Sequence, residues 1–299
     1  MMRSTRLLIA TLGALGAFTT QLAAESPIPP GQLNACPPPT CDDHCKNVPY
    51  TEPDCWTTPY GPAAADIILV DGELPPTQSP NMLKCNAGPY ALCFYSGPPE
   101  ATGTNSNNNK LPCVVNSGGN SATCTCQYYK SAVNYVDING ILNLHAYQQA
   151  VAQCGPTGTG CANITNSSYC AANPTAAQCQ EAAVCQYIRD QNAAKPLQSL
   201  VPGADTISDF GFSMASNYNM SGVSPCQDGL YAGCMTAACS FPGGVEPANG
   251  GLVSCNCPIV RGTFQIGQIR PDGKPYSCDL GSKYVWSAAN TINTQTTKP

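Results

Sequence analysis

The first apolar pattern in this chain is a stretch from Leu7 to Phe18, set behind Arg3 and Arg6 and ahead of the small residues Ala23 and Ala24. A basic start, a short apolar core and a small-residue end form the layout of a secretory signal peptide, so residues 1–24 are set aside from the fold. The run is too short for a bilayer span, and no later segment offers the roughly 20 apolar residues that a membrane helix needs. No membrane insertion is expected once the signal is cleaved. Farther on, Ile67 to Val70 is a short apolar run stopped by Asp71 and Gly72, which predicts a strand and a turn. Alternation appears in Gln127 to Tyr135 and again in Pro258 to Ile266, each time around a basic residue and a small one, Lys130 with Ser131 and Arg261 with Gly262. This predicts a β-hairpin turning at each of those pairs.

Between these segments the period changes. Ile141, Leu144, Tyr147, Val151 and Cys154 form an apolar stripe at helical spacing, closed by Gly155 and Pro156, with Asp137 or Asn139 placed to cap its start. A second helix is predicted after Asn173, with Pro174 in its first position, running towards Arg189. Cys179 and Cys185 on that helix would stand too far apart to pair with each other. A turn is predicted at Pro271 to Gly273, and a polar, mobile tail after Trp286.

Cysteine spacing adds an organisation that periodicity does not show. CNAGPYALC (Cys85 to Cys93) and CTC (Cys124 to Cys126) return as CQDGLYAGC (Cys226 to Cys234) and CNC (Cys255 to Cys257), with Cys113 and Cys239 in the loops between. All 20 cysteines lie beyond the signal segment, an even number in a compartment where thiols oxidise, so structural disulfides are the expectation. Cys36, Cys41, Cys45 and Cys55 stand in a proline-dense stretch read as an extended arm. Each copy holds five cysteines, so at least one bond must leave it if all are oxidised. The simplest closure joins the first copy to the helical insert, with its Cys154, Cys161, Cys170, Cys179 and Cys185, and joins the second copy to Cys278. On a strand, both sulfurs of CxC face one side and must seek different partners.

Composition then removes several classes of function. Taking Arg3 and Arg6 from 13 basic residues leaves 11 against 18 acidic ones, a balance of −7. Phosphate binding needs a clustered basic surface, so nucleic acid is not an expected partner. No CxxC or CxxCH occurs, which argues against zinc-type sites and attached haem; no cofactor and no metal site are expected. Only two histidines exist. His44 lies in CDDHC, between cysteines expected to be bridged, and His145 falls opposite the apolar stripe, where solvent exposure is expected. GFSMA at Gly211 to Ala215 resembles a hydrolase nucleophile elbow, but alanine ends it and no histidine follows Ser213. Asp137, His145 and Ser213 follow another known triad order and are the weak catalytic candidates. Asp205 with Asp209, or Asp71 with Glu73, could supply paired carboxylates. Asn163, Asn166 and Asn219 stand in glycosylation sequons, and Tyr90 and Tyr231, at matching positions of the two copies, read as scaffold.

The chain therefore reads as a disulfide-rich α+β protein. It has two related small β-rich, hairpin-containing modules, a short helical cysteine-rich insert and a proline-rich N-terminal arm. The expected divisions are the signal at 1–24, arm and linker at 25–83, first copy at 84–140, helical insert and linker at 141–223, second copy at 224–281 and tail at 282–299. The functional expectation is a secreted or periplasmic, non-catalytic protein that binds or forms structure at a protein or polysaccharide surface. The alternatives are a secreted hydrolase using carboxylates and a metal-binding extracellular protein. Function is expected where the copies differ, in the Phe94 to Pro112 loop, the Asp137 to Asn143 segment with its insert, and the Ser240 to Val253 loop.

Overall fold

The computed structural model describes residues 82–102, 109–191, 199–211, 224–266 and 276–290. The signal segment, the proline-rich arm, the Ile67 strand, His44, Ser213, Asn219 and the Pro271 turn lie outside the described residues. Four long strands organise the rest: β1 (Met82–Leu92), β3 (Ser121–Asp137), β6 (Ser224–Ala232) and β8 (Leu252–Ile266). They stand in the order β1-β3-β8-β6 within one ten-stranded sheet. In β3, Ala122, Cys124, Cys126 and Tyr128 are fully buried while Thr123 is exposed, the period-two pattern of a strand with one face on a core.

β1 pairs antiparallel with β3, β6 with β8, and β3 with β8 along the seam between the two hairpins. That seam runs from Ser121 opposite Pro258 to Gln127 opposite Leu252. Its register is symmetric about Cys124 opposite Cys255: Ala122 faces Cys257 on one side, and Cys126 faces Val253 on the other. Both outer pairings also slip after the first cysteine, between Cys85 and Gly88 and between Cys226 and Gly229.

The turns predicted at Lys130–Ser131 and Arg261–Gly262 do not form. β3 and β8 run straight through these pairs, and each long strand takes its hairpin partner from before the cysteine loop. The cause at Lys130 is a bulge. Gly88 faces Ala132 and Tyr90 faces Tyr129, so β3 carries one residue more than β1 there, and Lys130 and Ser131 both point to solvent. An extra residue breaks alternation without ending the strand.

Short strands extend the sheet. β2 (Cys113–Val115) pairs with β3, β4 (Thr206–Ile207) with β7 (Ala238–Ser240), β5 (Phe210–Gly211) with β3, and β7 with β8. β9 (Trp286–Ser287) joins β6 in parallel and β10 (Ala289–Asn290) joins β8, so the start of the expected mobile tail is pinned to the sheet. Trp286 is the anchor. It is fully buried, donates from Nε1 to Ser277 O at 2.8 Å, and lies so close over Gly97 that any Cβ there would overlap the indole.

The insert is helical but more broken than predicted. After a 3-10 turn at Ile138–Gly140, α1 spans Leu144–Cys154, α2 spans Ser167–Ala172 and α3 spans Ala183–Asp190, with a second 3-10 turn at Ala177–Cys179. Because Ile138–Gly140 turns first, the cap of α1 is Asn143, whose side chain accepts from Ala146 N at 3.0 Å, rather than Asp137 or Asn139. Gly155 ends α1 at φ 76°, a conformation glycine adopts without strain. No helix runs on from Pro174. Gln180 and Ala182 are extended, at ψ 143° and 144°, so the helix expected from Pro174 towards Arg189 forms only over Ala183–Asp190.

Candidate functional site

Two features stand out inside the described residues: a cluster of disulfides beneath the sheet and a seam of buried polar groups beside it. In the cluster, Cys113–Cys124 and Cys239–Cys255 join residues directly opposite each other on β2 and β3 and on β7 and β8. With Cys124 opposite Cys255, one row across four strands reads Cys113, Cys124, Cys255, Cys239. Cys93–Cys126 and Cys234–Cys257 close just past the ends of the β1–β3 and β6–β8 ladders. As the CxC geometry requires, Cys124 and Cys126 take different partners, and so do Cys255 and Cys257.

The four bridges touch. Cys124 Sγ lies 3.6 Å from Cys234 Sγ, a non-bonded contact between two different disulfides. Cys93 Sγ falls within 4.8 Å of the sulfurs of Cys234 and Cys257, and likewise of those of Cys239 and Cys255. All eight residues are at most 1% exposed. Such triads resemble a soft-metal site in spacing, but a metal needs thiolates and every sulfur here is spent in a bridge.

The remaining bridges tie the sheet to its surroundings. Cys85–Cys185 fastens β1 to α3, Cys226–Cys278 fastens β6 to the segment before β9, and Cys154–Cys161 and Cys170–Cys179 close short loops of the insert. The insert is thus bonded to the first cysteine set, and Cys278 to the second. Among the described residues no cysteine is free. Eight bridges suit an oxidising compartment, and no described helix is long and apolar enough to cross a membrane.

The polar seam joins β1, the β4–β5 connection, the turn after β6 and the lead into α1. Asp209 N donates to Ala91 O at 2.7 Å, Thr236 N to Ser208 O at 2.8 Å, and Leu142 N to Thr236 Oγ1 at 2.9 Å. Thr236 holds φ at 54°, unusual for a non-glycine residue, and is fully buried. Asp209 is fully buried as well. Its Oδ1 accepts from Phe210 N at 2.8 Å, and its Oδ2 has no hydrogen-bond partner. Burial holds this carboxyl well above its ordinary range, only partly offset by that backbone donor. The nearby Tyr90 hydroxyl is also pushed up, first by burial, then by the charges of Tyr129 and Asp209. Tyr231 is raised by burial and by Asp137.

The residues singled out from sequence fall as follows. Asp137 ends β3 and His145 sits in the first turn of α1, each 4% exposed. Solvent exposure of His145 is therefore corrected. The turn after β6 packs on the start of α1 through Thr236, so that end is enclosed on more than its apolar stripe. Ser213, the third member, is outside the described residues. Asp205 is used locally, its Oδ2 accepting from Phe241 N at 2.7 Å. Tyr90 and Tyr231 are buried at matching places, and Tyr90 stacks on Tyr129. Of the sequons, Asn163 is buried and its amide nitrogen donates to Gly158 O and Cys161 O, while the Asn166 nitrogen donates to Cys161 O and Gln178 O. Both nitrogens are occupied in the fold. In sequence Asp209 reads only as half of a carboxylate pair, and Thr236 gives no signal, since neither its burial nor its backbone angle leaves a mark in CMTAAC. The Cys124 to Cys234 contact was also beyond reach. It depends on the β3–β8 register. No protein-family model, no curated protein and no solved structure matches this chain.

Proposed function

We propose that this protein is a secreted or periplasmic, non-catalytic interaction scaffold, built from two copies of one cysteine-framed hairpin. It meets its partner, a protein or polysaccharide surface, through the solvent face of the shared sheet and the unequal loops around it. The observation that carries the reading is the division of chemistry between the two faces. The reactive side chains, Asp137, His145 and Asp209, are enclosed at 4% exposure or less. Opposite the sulfur face stand Thr123 paired with Asn256, and Thr125, Ser254 and Ser240 in one row, with Thr123, Ser254 and Ser240 exposed. Short hydroxyl and amide groups on a disulfide-fixed surface lose little rotamer freedom on contact and offer both donors and acceptors. Thr123 Oγ1 already donates to Asn116 Oδ1 at 2.8 Å, and Asn116 Nδ2 reaches Asn256 Oδ1 at 3.3 Å, which orders part of that face. The reading of two copies is supported by the symmetric register and the matching bridges.

The test is sedimentation of the purified protein with insoluble polysaccharides and with intact cell surfaces, in parallel with ester, glycoside and peptide hydrolysis assays. Saturable retention that is lost when Thr123→Lys and Ser254→Lys are combined is expected. Turnover that disappears with Asp137→Asn or His145→Ala would overturn the proposal in favour of a hydrolase.

A further inference from the structure

We infer that the four bridges beneath the sheet form one exchange-competent sulfur cluster, in which a thiolate at Cys124 displaces Cys257 from Cys234 and so moves a broken bond from one hairpin to the other. Disulfides exchange by attack of a thiolate on a bridging sulfur, and the rate depends on access and on the thiolate fraction. Access is already present. Cys124 Sγ is 3.6 Å from Cys234 Sγ, and a strand pairing holds the two hairpins in place through Cys124 opposite Cys255. The step forms the Cys124–Cys234 bond and breaks Cys234–Cys257, with Cys257 leaving as thiolate. Cys124 has given up its proton and Cys257 takes one, so no oxidant or reductant is consumed. The starting thiol arises when Cys113–Cys124 is opened, either by an external dithiol or by removal of Cys113.

Migration can continue. The leaving Cys257 stands within 4.8 Å of Cys93, and its attack there forms Cys257–Cys93 and releases Cys126 as the thiolate, while the fourth bridge adjoins the third, with Cys239 and Cys255 as close to Cys93. The consequence is coupling: opening a bridge in one hairpin weakens the pairing of the other, which separate staples would not do. All eight sulfurs sit in an apolar interior, where burial disfavours the thiolate, so exchange is expected to be slow near neutrality and to accelerate with rising pH.

The experiment is bond mapping in the Cys113→Ala variant of the full chain. The protein is quenched with acid and alkylated, and its peptides are fragmented finely enough to separate Cys124 from Cys126 and Cys255 from Cys257. The expected result is a Cys124–Cys234 peptide, with the alkyl label shifted from Cys124 to Cys257 or onward to Cys126, increasingly so after incubation at alkaline pH. A label that stays on Cys124 with Cys234–Cys257 intact overturns the inference. If this variant fails to fold, the unsubstituted protein is partially reduced with a dithiol and mapped in the same way. Appearance of Cys124–Cys234 in the partly reduced species supports the exchange. Its absence, with only the native pairs being lost, overturns it. In the Cys113→Ala, Cys124→Ala double variant the native Cys234–Cys257 pair should persist, and migration there would also refute the route.

Discussion

At the scale of single residues, burial decides more than residue type does. Asp209 looks like any surface aspartate in sequence, yet the fold encloses it fully and leaves Oδ2 without a partner. Its folded carboxyl is raised above the ordinary 3.8, so as pH climbs past that value the unfolded chain releases a proton that the native state retains. The unfolded state then binds fewer protons, and stability falls with rising pH. Asp209→Asn keeps an acceptor for Phe210 N–H and removes the ionisation. Relative to the unsubstituted protein, it should gain thermal stability at about pH 7 compared with about pH 3. Equal offsets in melting temperature at the two values would show that Asp209 does not titrate differently on folding. Gly97 makes a steric case. A methyl group there would enter the ring of the fully buried Trp286, and Gly97→Ala should cost about 1–3 kcal/mol in denaturant unfolding. Neither residue could be picked out from sequence, because each owes its role to a neighbour more than a hundred positions away in the chain or to an enclosure built by several segments.

At the scale of elements, local signals worked where the element is made locally. Most of the stripe from Ile141 to Cys154 is helix, from Leu144 onward, and Gly155 ends it. They failed where a long-range bond or pairing overrides propensity. Lys130 with Ser131 has turn chemistry, but β1 supplies the partner strand and turns the pair into a bulge. The Pro174 segment has helix-start chemistry, but the chain closes a loop through Cys170–Cys179 and runs extended through Gln180 and Ala182 before α3 begins at Ala183. The insert illustrates how covalent and polar ties combine. Cys185 of α3 is bonded to Cys85 of β1, and Arg189 of α3 pairs through both terminal nitrogens with Glu181, which also accepts from Asn86 N. Since Cys85–Cys185 spans 100 positions, replacing both by alanine should cost about 2–5 kcal/mol and speed proteolysis within residues 144–190. Unchanged cleavage there would mean that the α1–α3 contacts, such as Tyr187 Oη to Gln149 Oε1 at 2.6 Å, hold the insert unaided.

At the scale of the whole molecule, the two hairpins are not independent beads. They share a seam from Ser121 to Gln127 on β3 and from Leu252 to Pro258 on β8, and the sulfur cluster lies beneath it. One cooperative unfolding transition is therefore expected by calorimetry for residues 82–290 in the oxidised full chain, with calorimetric and van't Hoff enthalpies in agreement. Two separable transitions would show that each hairpin carries its own stability and that the seam is a weak contact. What the sequence determined by itself was the covalent logic. Cysteine parity demanded one bond out of each set, and the alternation of CxC put two sulfurs on one face with different partners, since both follow from counting and from strand geometry. Which sulfurs touch across the two hairpins, which carboxyl is buried and which face is left to solvent were decided only when β3 paired with β8. That pairing joins residues about 130 positions apart and is set by the register of the whole sheet, and no local pattern encodes it.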